Sequence, residues 1–156
     1  MKIGIISDTH DHIPASVYEA FSNVEQIIHA GDIGKENIIT ELSTIAPVKA
    51  VYGNMDSYPL VSRYRRIDFF NIHRYAFCLT HIIASHKAFS YELFKMNRKV
   101  DVVIHGHTHL PDNTKFNDIL FINPGSASRP KSGSNASVGI LNVDKELLEF
   151  EIIYLK

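Results

Sequence analysis

Short runs of apolar and β-branched residues alternate with amphipathic segments along the chain, and this alternation constrains the fold more than any other feature. Strands are predicted at Lys2–Ser7, Gln26–Ala30, Val48–Tyr52, Tyr75–Thr80, Asp101–Ile104, Asn117–Asn123, Ser137–Val143 and Leu147–Tyr154. Helices are predicted at Ala15–Asn23, Lys35–Thr44 and Ala84–Lys99. Because strands and helices alternate, we expect a layered α/β domain. After Ile119 tight turns join the strands, so the second half should be more antiparallel.

Length, charge and cysteine content limit the classes of protein to which the chain can belong. With 156 residues, we expect a single domain spanning residues 1–156. The 16 basic and 17 acidic side chains give a net charge of −1, which argues against binding long nucleic acids or an anionic membrane surface. Cys78, the only cysteine, cannot form an internal disulfide, and no apolar run approaches the roughly 18 residues of a membrane span. We therefore expect a cytoplasmic protein.

Side chains that can bind metal ions follow five of the predicted strands. They are Asp8, His10, Asp32, Asn54, His81, His107 and His109. In open α/β sheets the ligand crevice lies beyond the carboxyl ends of the strands, so residues scattered in sequence can converge there. Glycines next to three of these positions permit tight turns and close backbone approach. The sequence therefore predicts one metal centre built from several loops.

The types of ligand in this set indicate both the metal and the chemistry. Carboxylate, amide and imidazole ligands without a thiolate suit Mn²⁺, Fe²⁺, Ni²⁺ or Zn²⁺, and argue against an all-sulfur structural zinc site. Seven ligands are too many for one tetrahedral ion, but they suit two adjacent ions that share a carboxylate. Two ions about 3.5–4 Å apart can hold a bridging hydroxide and clamp a phosphoryl oxygen, which favours phosphoester hydrolysis.

The order of these motifs resembles that of the calcineurin-like metallophosphoesterases. Asp-x-His at Asp8, Gly-Asp at Asp32, Gly-Asn at Asn54, Thr-His at His81 and Gly-His-x-His ending at His109 occur in the family order. The segment "INPGSASRP" at residues 122–130 is similar to that of the small bacterial and archaeal phosphodiesterase subgroup. The resemblance covers the chain from the first strand to about residue 130.

This resemblance implies a fold, a ligand assignment and an activity. The family fold is a four-layer α/β sandwich of two mixed β-sheets flanked by helices. One ion would be held by Asp8, His10, Asp32 and His109, and the second by Asp32, Asn54, His81 and His107. The metal is often Mn²⁺, and many members are homodimers or higher homo-oligomers. The implied activity is that of a dinuclear metal-dependent phosphodiesterase, in which a metal-bridging hydroxide attacks the phosphorus of a small phosphoester.

Two positions depart from the family pattern and keep an alternative open. Met55 follows Gly53-Asn54 where the family commonly has a histidine, and a thioether cannot donate a proton to the leaving group. Ile82 follows His81 where the family usually has glycine, so either the local backbone differs or glycine is not needed there. His86 is a substitute ligand if that loop is rearranged, although a position in the first turn of a helix is the simpler interpretation. The alternative function is a protein-interaction scaffold, similar to a eukaryotic trafficking subunit that keeps much of the metal pocket.

Other residues near the motifs have both a structural and a functional interpretation. His105 is expected to pack or to hydrogen-bond the backbone rather than to support a ligand, and His29 is also expected to be structural. The Asp11–His12 pair belongs to a loop that either contacts substrate or is simply exposed. Arg129 either pairs with a phosphate oxygen or is a solvated cation, and the basic segment 63–66 is a solvated face or a subunit contact.

Overall fold

Two five-stranded mixed β-sheets form the centre of the molecule in the computed structural model, which describes residues 1–156. The strands are β1 (Lys2–Ile6), β2 (Gln26–His29), β3 (Val48–Ala50), β4 (Ile67–Ile72), β5 (Tyr75–Thr80), β6 (Val102–Ile104), β7 (Pro111–Phe116), β8 (Ile119–Pro124), β9 (Ser137–Val143) and β10 (Leu148–Tyr154). The helices are α1 (Ser16–Ala20), α2 (Glu36–Leu42), α3 (Leu60–Arg63) and α4 (His86–Lys95). None of the four helices combines the length and the apolar character that a membrane span requires.

Each sheet combines parallel and antiparallel neighbours. The first sheet has the order β10-β9-β1-β2-β3, with β1, β2 and β3 parallel and β9 antiparallel to both β1 and β10. The second has the order β4-β5-β6-β8-β7, with β5, β6 and β8 parallel and the two edge strands antiparallel to their neighbours. The parallel strands of both sheets supply the carboxyl ends at which the predicted ligands lie.

Three apolar clusters separate the layers. Alternate residues of the central strands, such as Ile5 and Leu79, face the space between the sheets and form the middle cluster. A second cluster lies on the outer face of the first sheet, where Val17, Ile38 and Leu60 of the first three helices pack. A third lies on the outer face of the second sheet, beneath Phe89 of α4. The order helix, sheet, sheet, helix confirms the predicted four-layer sandwich.

The differences from the predicted elements are confined to edges and turns. The strand expected to begin at residue 117 begins at Ile119, because Asn117 and Asp118 form a two-residue hairpin turn with φ of 48° and 61°. The edge strands β4 and β7 and the one-turn helix α3 were not predicted. β7 has a polar, half-exposed sequence because an edge strand needs little apolar surface.

Candidate metal centre

The carboxyl ends of the two sheets meet at one side of the sandwich, and all seven predicted ligands lie in loops there. The loops after β1, β2 and β3 of the first sheet provide Asp8, His10, Asp32 and Asn54. The loops after β5 and β6 of the second sheet provide His81, His107 and His109. Contacts between the loops of the two sheets bring these side chains together, as the strand-end pattern predicts.

The ligands carry unusual backbone conformations themselves. Five of the seven have a left-handed φ, and these are Asp8 (55°), His10 (43°), Asp32 (52°), His107 (68°) and His109 (58°). Such a conformation costs of order 1–3 kcal/mol for a non-glycine residue and persists only where surrounding contacts hold it. Backbone strain is therefore found at five of the seven residues that the sequence predicts to be ligands.

The glycines beside two of the ligands serve close approach rather than unusual φ angles. A Cβ atom on Gly106 would lie 2.0 Å from Ser7 Oγ, and one on Gly53 would lie 2.1 Å from Asp32 Oδ1. Neither glycine has a positive φ. Because these two positions have no side chain, the loop of Gly106 packs directly against Ser7 and Asp8, and the loop of Gly53 packs directly against Asp32.

The first predicted ligand group is compact and centred on a buried carboxylate. The ligand atoms of Asp8, His10, Asp32 and His109 all lie within 4.8 Å of one another. Asp8 is fully buried, and burial raises the pKa of its carboxyl group. Its Oδ1 makes no hydrogen bond although His109 Nε2 lies 3.0 Å away and His10 Nε2 3.8 Å away. A buried carboxylate oxygen surrounded by imidazole nitrogens is an arrangement that a divalent cation satisfies.

The second predicted group shares Asp32 and is more open. His81 is buried, and its Nε2 lies 3.3 Å from Asp32 Oδ2 without a hydrogen bond. Its Nδ1–H donates to the carbonyl of Ala30 at 2.7 Å, which directs the Nε2 lone pair toward Asp32, as in a metal-binding histidine. Asn54 Oδ1 lies 3.1 Å from His107 Nδ1, and both of these side chains are exposed.

The charges of His81 and Asp32 depend on each other. Burial disfavours the charged imidazole of His81, but the carboxylates of Asp32 and Asp8 outweigh burial and raise its pKa. Burial likewise disfavours ionised Asp32, yet its contact with His81 and the hydrogen bond from the Met55 amide at 2.8 Å lower its pKa. The paired charges stabilise the carboxylate form that a cation requires.

Buried His29 joins the loops after β1 and β2, which carry three of the four residues of the first ligand group. Its Nδ1 accepts a hydrogen bond from the Gly31 amide at 3.1 Å, and its Nε2–H donates to the Thr9 hydroxyl at 2.9 Å. Burial lowers the pKa of His29 to about 3, so the ring is neutral. These contacts agree with the expected structural role of His29.

Comparison with known proteins identifies the family. The profile of the calcineurin-like phosphoesterase superfamily domain matches residues 1–146. The chain belongs to this superfamily. It is 39% identical to a probable metallophosphoesterase of Methanothermobacter thermautotrophicus, over 98% of this chain and 92% of that protein. It is 35% identical to a phosphodiesterase of Methanocaldococcus jannaschii, over 94% of this chain and 95% of that protein.

Solved structures of low sequence identity share the same fold. Vps29 of Chaetomium thermophilum superimposes with a TM-score of 0.81 over 100% of this chain and 99% of that one, at 18% identity. At this identity the likeness concerns the fold alone. Together with the family assignment, it confirms the predicted sandwich of two mixed sheets, and the family makes the chain a metal-dependent phosphoester hydrolase.

The two departures from the family pattern have simple structural settings. Ile82 does not have a left-handed φ, so glycine is not required there for conformational reasons, and its side chain is half-exposed. Met55 exposes 66% of its surface and contributes its amide to Asp32, not its thioether. His86 does not approach the second ligand group; it lies at the start of α4 beside His105 and Asp112.

Several groups that support the phosphoesterase site were missed at the level of sequence. Asp56 accepts hydrogen bonds from the Gly34 and Gly53 amides, both at 2.8 Å, and thereby joins the loops of Asp32 and Asn54. The family motif Gly-Asn-x-Asp contains this position and could have indicated it. Asp56 thereby holds the loop of Asp32, the shared ligand, beside the loop of Asn54.

The segment between β8 and β9 supports the site through serine hydroxyls and a backbone carbonyl. Ser126 and Ser128 donate to the carbonyls of Asp8 and Thr9 at 2.9 and 2.6 Å. The Arg129 carbonyl accepts a hydrogen bond from Nδ1 of His109, which leaves Nε2 facing Asp8. Arg129 therefore acts at the site through its main chain, while its side chain is exposed.

Proposed function

We propose that this chain is a phosphodiesterase that hydrolyses small phosphoesters with two divalent ions held by the seven predicted ligands. The observation that carries the proposal is the pair of buried atoms without hydrogen bonds, Asp8 Oδ1 and His81 Nε2, which lie 3.9 Å apart and belong one to each ligand group. Buried polar atoms normally have partners, so two such atoms facing one shared carboxylate favour cation binding. The M. jannaschii relative, which is named a phosphodiesterase, supports the choice of reaction.

The donors present fit two such ions. Asp8, His10, Asp32 and His109 would hold the first, and Asp32, Asn54, His81 and His107 would hold the second, so that Asp32 is shared. When bound, the ions supply positive charge to the phosphoryl oxygens and lower the pKa of water. We propose Mn²⁺ as the native metal, with Ni²⁺, Fe²⁺ or Zn²⁺ as substitutes, because the donors are oxygen and imidazole nitrogen.

The remaining parts of the site orient these donors. The carbonyls of Ala30 and Arg129 each accept a hydrogen bond from the Nδ1–H of a histidine, so the Nε2 atoms of His81 and His109 are directed inward. The Met55 amide holds Asp32 Oδ1, which leaves Oδ2 facing the two ligand groups. Donors fixed in this way need little reorganisation during the reaction, which is the main protein contribution to such catalysis.

The substrate side of the site favours good leaving groups. Met55 cannot supply the proton that a histidine would donate there. An ester whose leaving group is stable as an anion, such as an aryl ester, needs little protonation. A pocket beside the second ligand group is lined by Tyr52, Arg66, Thr80 and Ile82, and its arginine can pair with a phosphate oxygen.

The proposal also includes the domain organisation, the location and the assembly of the protein, and one class of substrate that it does not hydrolyse. We propose that residues 1–156 form one domain, that the protein acts in the cytoplasm, and that it assembles as a homodimer or higher homo-oligomer. We also propose that long nucleic acids are not its substrates, because the net charge is −1 and no basic field is available to gather a polyanion.

The test is hydrolysis of bis-p-nitrophenyl phosphate with and without Mn²⁺. Asp32→Asn and His107→Asn should each abolish metal-dependent turnover. Asp118→Asn and His73→Asn are controls matched in backbone conformation, because both positions are left-handed, like the replaced ligands, and asparagine tolerates this conformation; both are exposed and outside the ligand set. Absence of activity in the wild type, or equal activity in Asp32→Asn and Asp118→Asn, would contradict the proposal.

A scaffold function is the second candidate, and the fold likeness to Vps29 is the observation that favours it. It predicts a stable protein partner that is retained by Asp32→Asn, together with no metal-dependent hydrolysis by the wild type. The same hydrolysis assay therefore decides between the two functions.

A further inference from the structure

A second cluster of potential ligands lies on the outer face of the second sheet, under the start of α4. It consists of His86 at the first position of α4, His105 immediately after β6, and Asp112 in β7. Their ligand atoms lie within 4.8 Å of one another, and none of the three belongs to the seven ligands described above. His86 Nε2 is 2.6 Å and His105 Nε2 is 3.4 Å from the same oxygen, Asp112 Oδ2.

Strand alternation explains why His105 faces this cluster and not the dinuclear centre. Val103 points to the outer face beneath α4, whereas Ile104 points between the sheets. His105 therefore returns to the outer face. Its side chain is 4% exposed, and its Nε2 has no hydrogen-bond partner. A buried imidazole nitrogen without a partner, aimed at a carboxylate and a second imidazole, indicates a missing ligand.

Asp112 is held in position as an ionised acceptor. The Thr114 hydroxyl donates to its Oδ1 at 2.6 Å, which leaves Oδ2 facing the two histidines. Although burial opposes ionisation, contacts with His105, Thr114 and His86 lower the pKa of Asp112. The carboxylate is therefore available to a cation near neutral pH.

The geometry and accessibility of the cluster suit a small transition-metal ion. Two ligand atoms each about 2.1 Å from a tetrahedral ion lie about 3.4 Å apart. The distance from His105 Nε2 to Asp112 Oδ2 already has this value, and the hydrogen bond from His86 has only to open slightly. His86 and Asp112 are partly exposed, which leaves an entry path and room for water as a fourth ligand. Phe121, whose ring centroid lies 4.6 Å from that of His86, limits how the imidazole can turn.

We propose that His86, His105 and Asp112 form a third metal site, separate from the dinuclear centre, that binds a divalent transition-metal cation with a preference for Zn²⁺. Two imidazoles, one carboxylate and an open position are a known zinc donor set, whereas Mg²⁺ and Ca²⁺ require mostly oxygen. The ion connects α4 to an edge strand and to the residue two positions before His107.

The tautomer of His105 that binds metal through Nε2 carries its proton on Nδ1. Asn123 Nδ2 lies 3.4 Å from Nδ1, but its two protons have nearer acceptors in the Gly106 carbonyl at 3.0 Å and the Thr108 hydroxyl at 3.1 Å. Both protons of the Asn123 amide therefore keep their acceptors when Nδ1 of His105 is protonated.

The test is the Zn²⁺ content of the full chain after equilibrium dialysis, measured by elemental analysis. We expect three equivalents in the wild type and two in Asp112→Asn and in His86→Ala. Asp112→Asn preserves the size of the side chain and remains informative if His86→Ala does not fold. Asp118→Asn and His73→Asn are the matched controls and should keep three equivalents, since both residues are exposed in turns and neither belongs to a ligand group.

A second experiment separates this proposal from the dinuclear one. Asp32→Asn/His109→Asn should retain one equivalent, and adding Asp112→Asn should remove it. Anomalous scattering at the zinc edge should then place that single ion between His86, His105 and Asp112. If the wild type binds only two equivalents and Asp112→Asn keeps both, the third site does not exist and the dinuclear centre is unaffected. If Asp112→Asn abolishes the only equivalent bound, the third site is present and the dinuclear proposal fails.

Discussion

The two halves of the proposed dinuclear centre differ in how completely the fold assembles their ligand residues. In the first half Asp8 is fully buried and its neighbours lie within 4.8 Å, so the ligand atoms are already assembled. In the second half only His81 is buried, whereas Asn54 and His107 are exposed at the mouth of the site. A preassembled group loses less side-chain entropy when it binds an ion, so the first half should have the higher affinity. We expect substrate to reach the proposed ions through the open half.

The difference follows from which strands supply each half. Asp8, His10 and Asp32 come from β1 and β2, which are parallel neighbours at the centre of one sheet and are held by buried His29. Only His109 of the first half comes from the other sheet, whereas the second half takes both His81 and His107 from it. The geometry of the second half therefore depends more on contacts between the sheets, such as that of His81 with the Ala30 carbonyl.

The largest expected effect comes from the carboxylate shared by both halves. Asp32→Asn should lower the affinity for both Mn²⁺ ions by more than about 100-fold, since even residues that only orient a ligand contribute about 10–100-fold. Titration followed by the electron paramagnetic resonance signal of free Mn²⁺ measures this directly. Loss of one ion with retention of the other would show that Asp32 is not shared.

The next effect distinguishes the halves. His81→Asn should abolish the weaker Mn²⁺ equivalent and leave the tighter one, whereas His10→Asn should weaken the tighter one. Both histidines lie against Asp32, at 3.3 and 3.8 Å, so the two substitutions are matched in position and charge. The same Mn²⁺ titration resolves the two classes of ion. An identical loss in the two variants would mean that the halves are equivalent.

A smaller effect is expected from substitution of Asp56, which supports the loop of Asn54 in the open half. Asp56→Asn removes one acceptor from the amides of Gly34 and Gly53, so the loop that carries Asn54 should loosen. We expect kcat/KM for bis-p-nitrophenyl phosphate to fall roughly 10-fold, within the range for groups that orient metal ligands. Asp118→Asn is the control at an exposed aspartate. A fall that excess Mn²⁺ does not reverse at all would place the defect outside the metal loops.

The convergence of the seven proposed ligands could be predicted from sequence, because each follows a strand and stands in a family motif. The supports mostly could not, since they act through backbone groups. The carbonyls of Ala30 and Arg129 hold histidine rings regardless of the side chains at those positions, so no residue pattern marks them. Asp56, Ser126 and Ser128 differ, because their side chains supply the contacts and family-like segments contain them.

The cluster at α4 was missed for a different reason. Asp112 lies in β7, an edge strand whose polar sequence does not show the alternation of a buried strand. Without that strand, nothing indicates that Asp112 is adjacent to His105, which belongs to a strand two places away in the second sheet. His105 was expected to be a packing residue because its burial was predicted correctly but its neighbours were not.

The last effect concerns His29, the buried residue that supports the loops of the first half, and it is a change of the free energy of unfolding with pH. Folding keeps His29 neutral, with a pKa lowered to about 3 by burial, whereas in the unfolded chain it titrates near 6.5. Between these values the unfolded state binds the extra proton, so this contribution to stability is complete above about pH 6.5 and is lost progressively as the pH falls toward 3. The slope is at most about 1.4 kcal/mol per pH unit. His29→Leu should be less stable at pH 7.5, because two hydrogen bonds are lost, but should lose less stability than the wild type between pH 6.5 and 5. Urea unfolding of the metal-free proteins measures both quantities, and parallel pH profiles would show that His29 is not kept neutral by the fold.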